Sequence, residues 1–154
     1  MAISFASYTP SRVSSLVLIA SGGLSKTRAT FILRMLACAF LGPSGSEKLR
    51  KLVYGNLTLT DEVLEFAKLI SDNFIPRPPK DCGAHPDEML SKLSMPVLFI
   101  GGEKDVMLPT AKNAARLKRL VPDAEIIILK GAPHALTGLT DDIINFIDRN
   151  GNVK

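Results

Sequence analysis

Three short apolar runs punctuate the chain: Ser15-Leu16-Val17-Leu18-Ile19-Ala20, Pro96-Val97-Leu98-Phe99-Ile100 and Ala124-Glu125-Ile126-Ile127-Ile128-Leu129. They largely lack the in–out alternation of a half-solvated strand. Short continuous runs of this kind predict strands buried on both faces, as in a parallel sheet. Elsewhere the apolar positions recur with helical spacing. Met1 to Tyr8 reads as the end of an apolar helix, with Ile3, Phe5 and Ala6 inside it, stopped before Pro10. Ala29, Ile32, Leu33, Leu36 and Phe40 share one face of a second helix, ended by Gly42-Pro43. Ser46-Glu47 opens a third, with Leu49, Leu52 and Val53 inward. Thr60 caps a fourth, where Asp61 and Glu62 suit the helix dipole and Val63, Phe66, Ala67, Ile70 and Phe74 form the stripe. Pro76-Arg77-Pro78-Pro79 breaks the pattern, residues 80–86 read as a polar loop, and Met89, Leu90 and Leu93 make a short amphipathic turn. A helix after Pro109 buries Ala114, Leu117 and Val121 and stops at Pro122. In the last helix Thr140 is the cap and Ile143, Ile144 and Ile147 face inward, with Asn150-Gly151 at its end.

The second and third apolar runs flank a helix, and strand–helix–strand of this length is a parallel crossover. The turns that close the two strands then open on the same edge of one sheet, where open α/β sheets place their chemistry. One turn, Gly101-Gly102-Glu103-Lys104-Asp105, carries a carboxylate. The other, Gly131-Ala132-Pro133-His134, carries an imidazole. The crossover predicts that Asp105 and His134 sit side by side. A carboxylate beside an imidazole fixes its tautomer and stabilises the imidazolium, which is two-thirds of a nucleophilic triad.

These residues carry a resemblance. Gly102-Glu103-Lys104-Asp105-Val106-Met107-Leu108-Pro109 resembles the G-x-x-D-x-x-x-P turn after the seventh strand of α/β-hydrolases, and Gly131-Ala132-Pro133-His134 resembles their histidine loop after the eighth. In that family the acid and histidine follow the nucleophile in chain order. The resemblance implies Asp105 as acid and His134 as base. It also implies a partial α/β-hydrolase fold: a three-stranded parallel sheet with residues 1–23 and 94–154 as core and residues 24–93 as a helical cap insertion. The nucleophile is missing. No G-x-S-x-G occurs in the sequence, and on this alignment Met1 lies just past the place for it. Gly42-Pro43-Ser44-Gly45-Ser46 has a glycine out of place and no strand before Ser44. Pro133 stands where the family commonly has glycine, and the aromatic often found after the histidine is absent.

Composition narrows the partners. At 154 residues with 46% apolar content, the chain has the size and interior of one globular domain. The net charge of +4 is dispersed, and Lys48-Leu49-Arg50-Lys51 reads as a solvated helix face. Without interleaved aromatics for base stacking, nucleic-acid binding is not expected. Two cysteines, Cys38 and Cys82, do not make a disulfide framework, so a reducing, cytoplasmic setting is the default. Arg34 interrupts the most apolar helix, and no run predicts a membrane span. No acidic residue precedes Glu47, the composition of an organellar presequence, but the strand at residues 15–20 argues for mature protein throughout.

Rival motifs are weaker. Ala20-Ser21-Gly22-Gly23-Leu24-Ser25-Lys26-Thr27 has the length and Lys-Thr ending of a phosphate loop, but Ala20 and Ser25 replace both glycines that let backbone amides wrap the phosphates. A polar turn with Ser25 capping a helix explains it better. Cys82, His85 and Asp87 are too few for a structural zinc, so the metal and cofactor expectation is none. Ser21 follows a strand; in the resembled family that position lies beside the site, which implies substrate contact rather than a covalent role. Arg77 lies where a cap meets the site, and relatives that cleave carbon–carbon bonds in ring-fission products place an arginine there to hold a carboxylate.

The expectation is thus the carboxyl-terminal part of a serine-type hydrolase acting on an ester or similar acyl compound, with a small-molecule substrate in the intact protein. The alternative is a non-catalytic module. Leu16–Ala20 would have an uncovered edge, which predicts a homo-oligomer or pairing with an amino-terminal half.

Overall fold

The computed structural model describes residues 1–57, 59–73 and 83–150. In chain order the elements are α1 (Ala2–Tyr8), a 3-10 turn (Pro10–Arg12), β1 (Leu16–Ile19), α2 (Ala29–Ala39), α3 (Gly42–Tyr54), α4 (Asp61–Asn73), α5 (Asp87–Leu90), β2 (Val97–Gly102), α6 (Thr110–Leu120), β3 (Glu125–Leu129) and α7 (Thr140–Asn150). The strands form one parallel sheet in the order β1-β2-β3. Leu18 lies opposite Phe99 and Phe99 opposite Ile126, so the side chains of neighbouring strands rise in common rows.

Period-two geometry sends alternate residues of each strand to opposite faces. On one face Leu16, Leu18, Val97 and Phe99 pack with Ile3 and Ala6 of α1, Leu90 of α5 and Ala114 and Leu117 of α6. On the other, Leu98 and Ile100 pack with Leu139 and Phe146, with Val17, Ile127, Leu129 and Ile143 at the margin. Central strand β2 is buried along its whole length, as its unbroken apolar run requires. The edge strands are less covered: on β1 Leu16 and Leu18 are buried, but Val17 is only half-buried and Ile19 is 42% exposed. Asn113 of α6 is also buried, and neither polar atom of its amide has a partner among the described residues.

Several expectations are corrected. The third helix starts at Gly42, not Ser46, because Pro43 falls in its first turn, where a missing N–H breaks no helical bond. Thr140 is the first residue of α7 rather than its cap; Leu139 takes the cap position, its carbonyl accepting from Ile143. The buried anchor of α7 is Phe146, while Ile144 and Ile147 are exposed. Ile32, Leu33 and Leu36 of α2, and Phe40 just past its end, are exposed, and Phe31 alone of that helix is buried. Ser25 caps no helix, since α2 begins only after Arg28. The positions of Phe74, Pro76–Pro79, Asp81, Cys82 and Gly151 lie outside the described residues. Among the described residues no helix is long and apolar enough to cross a membrane.

Candidate active site

The carboxyl ends of β2 and β3 are bound to each other beyond the sheet itself. Glu103 N–H donates to the Leu129 carbonyl at 3.0 Å and Lys104 N–H to the Ala132 carbonyl at 2.9 Å. The Glu103 carboxylate accepts from Gly131 N–H at 2.7 Å. Gly131 itself has φ +69, a conformation that glycine adopts without strain. Gly102 admits the other turn: a Cβ there would lie 2.0 Å from the Pro133 carbonyl oxygen, so only glycine lets the histidine loop come this close.

This double turn delivers Asp105 and His134 to one point. Asp105 Oδ2 and His134 Nδ1 are 2.8 Å apart. Asp105 Oδ1 accepts from Met107 N–H at 2.7 Å and from Leu108 N–H at 2.8 Å. The carboxylate side chain is fully buried, while the imidazole keeps partial access to solvent. Burial pushes the Asp105 carboxyl up, but the bonds from His134, Leu108 and Met107, with the histidine's charge, outweigh it and hold the group below its ordinary value. An ionised Asp105 only accepts, so His134 carries its proton on Nδ1 and presents Nε2 as the basic nitrogen.

His134 lines an open cleft of about 490 Å³ whose wall includes Ala20, Ser21, Gly23, His85 and Leu108. Ala20, at the carboxyl end of β1, sits in left-handed backbone conformation with φ +39, unusual for a residue with a side chain. The Ser21 hydroxyl donates to the neighbouring Gly22 carbonyl at 3.0 Å. It therefore shares the cleft with His134 without being bonded to it. Arg77 lies outside the described residues. Asp87, considered above as a metal ligand, is engaged by Arg116 at 2.5 Å and Arg119 at 2.7 Å.

Two features escape a reading of the sequence. The Arg116 guanidinium donates to Asp87, to the His85 carbonyl at 2.6 Å and to the Leu24 carbonyl, tying α6 to the cleft wall. Nothing local marks it, because its partners are distant in sequence. Ala135 N–H donates to the Val53 carbonyl at 3.1 Å, joining the histidine loop to the end of α3. Gly55, with φ +62, turns the chain just past that helix end and lets the loop approach. A Cβ on Gly55 would lie 3.2 Å from the Pro133 ring.

No protein-family model matches the chain. A stretch of 56 residues, 36% of this chain and 20% of the relative, is 34% identical to a protein of Synechocystis sp. assigned provisionally as a non-heme chloroperoxidase. Solved structures match over almost the whole chain. Carboxylesterase CesB of Bacillus subtilis superposes with a TM-score of 0.74 at 20% identity, over 98% of this chain and 56% of that one. Naproxen esterase of Bacillus subtilis gives 0.73 at 22%, over 97% and 55%. A meta-cleavage product hydrolase of Pseudomonas fluorescens gives 0.66 at 21%, over 96% and 60%. The chain thus spans little more than half the length of these solved structures, and at these identities the likeness is one of fold.

Proposed function

We propose, for a chain with the α/β-hydrolase fold over the part that holds the acid and histidine turns, that it supplies the acid–base half of a serine-type acyl hydrolase. The observation that carries this is the 2.8 Å contact between the buried Asp105 carboxylate and His134 Nδ1. In this reading a hydroxyl oxygen attacks the substrate carbonyl carbon as its proton passes to His134 Nε2. The histidine then gives that proton to the leaving oxygen, and a water molecule, deprotonated in the same way, releases the acyl group. Asp105 orients the ring and stabilises the imidazolium. The hydroxyl has to come from a G-x-S-x-G turn, which the sequence does not contain. Ser21, on the cleft wall, and Arg77 are the candidates for substrate contact. Esters are the favoured substrates, because two of the structures matched are named as esterases.

Complementation tests the reading. The chain joined to an amino-terminal segment bearing the elbow should hydrolyse a short-chain aryl ester, and His134→Ala should abolish this. A joined protein that melts cooperatively yet hydrolyses nothing would overturn the assignment. The chain by itself should show no turnover above its His134→Ala control, since acid and base have nothing to activate.

A second reading, a non-catalytic module pairing through β1, is favoured by one observation. Among the described residues β1 is hydrogen-bonded on one side only, to β2. Self-association in sedimentation, abolished by a proline at Val17, is the expected result; a monomer at all concentrations would sink it.

A further inference from the structure

Helices α2 and α3 form a hairpin whose corner is locked by close contact. A Cβ on Gly45 would lie 1.8 Å from the Cys38 carbonyl oxygen, so any side chain there would force the helices apart. Leu41 N–H donates to that same carbonyl at 3.0 Å. Beside this corner a groove of about 450 Å³ is lined by Arg34, Ala37 and Cys38 of α2 and Lys48, Lys51 and Leu52 of α3. Each triplet has the i, i+3, i+4 spacing of one helix face, so two facing stripes make the walls. Ala37 and Cys38 are small, which leaves the space open.

The charges are one-sided: all three ionisable residues other than the thiol are cations. Arg34 and Lys48 have no ion-pair partner among the described residues, and Lys51 reaches Glu47 only at 3.6 Å, while Glu47 is held more closely by Arg50. The long stems of lysine and arginine are themselves apolar and extend the groove wall up to the charges. An occupant must therefore offer apolar surface to the walls and negative charge to the cations that rim them.

We propose that the α2–α3 groove binds a single-chain anionic amphiphile, a long-chain carboxylate. The volume falls within the ordinary range of small-molecule sites. The groove is shallow and opens widely to solvent, with room for one chain laid between two helices. None of the residues of the Asp105–His134 cleft lines it, so the proposal stands or falls apart from the hydrolase reading.

The probe is dodecanoate below its micellar concentration, measured by equilibrium dialysis with the full chain. Saturable binding is expected, and Arg34→Glu with Lys48→Glu should weaken it by about tenfold or more. Ala37→Phe should block it by filling the groove. All three positions are exposed, so the melting temperature should hold. In a Cys82→Ser background, dodecanoate should also slow alkylation of Cys38. Absent binding, equal binding of dodecanol, or binding unchanged by the charge reversal would overturn the proposal. So would binding only to phosphatidylglycerol vesicles, which would make this face a membrane contact.

Discussion

Helices α6 and α4 carry the same kind of sequence and meet different fates. Each has apolar residues at helical spacing and charges between them. In α6 the stripe is covered: Leu117 is wholly buried against the sheet, with Ala114 and Val121 beside it. In α4 the stripe is bare: Phe66 is 65% exposed, and Val63, Leu69 and Ile70 are exposed with it. Periodicity states that a face is apolar. It does not state what covers that face. α6 is covered because it is a crossover, obliged by its flanking parallel strands to lie back on the sheet. Among the described residues α4 has no strand directly before or after it, so no such obligation acts on it.

Truncating both stripes tests this contrast most directly. Leu117→Ala should cost about 2–5 kcal/mol, because the cavity adds to the lost transfer energy. Urea unfolding followed by circular dichroism reads it. A loss well below about 2 kcal/mol would mean that α6 is not part of the core.

Acid probes the covered side in a second way. The folded Asp105 carboxyl lies below its ordinary value. Its stabilising contribution is therefore fully present above the unfolded pKa, about 3.9, and is lost as the pH falls through the folded value. Urea midpoints taken from neutral pH down to about pH 3 should fall less steeply for Asp105→Asn than for the unaltered chain. Parallel curves would show that the buried Asp105 carboxylate contributes no pH-dependent stability.

The smallest effect belongs to the bare helix. Phe66→Ser should change stability by no more than about 0.5 kcal/mol, as for most exposed positions. A loss comparable to that of Leu117→Ala would show that α4 is covered in solution, and by what could then be sought in the oligomeric state.

The same contrast explains what is legible in the sequence. The three strands, the crossover and the meeting of Asp105 with His134 follow from local runs joined by a single topological rule, and the structure brings these together. The anchor of α7 is not legible in this way. Ile143, Ile144 and Ile147 look equally inward by hydropathy, yet the helix's rotation on the sheet buries Phe146, keeps Ile143 at the core margin and leaves Ile144 and Ile147 exposed. The start of α3 is ambiguous because glycine and proline read as a stop, although proline is equally suited to a first turn. Arg116 is invisible, since its role depends on carbonyls brought from Leu24 and His85. Gly102 offers a signal, a glycine pair closing a buried strand, whose meaning needs the Pro133 carbonyl to be in place.

The bond from Ala135 N–H to the Val53 carbonyl gives the histidine loop a clock of its own. That amide can exchange with deuterated solvent only when the end of α3 lifts away, so its rate measures how often the hairpin leaves the loop. If lifting is local, Ala135 exchanges far sooner than the amides of β2. The imidazole next to it would then spend a countable share of its time without the hairpin's support.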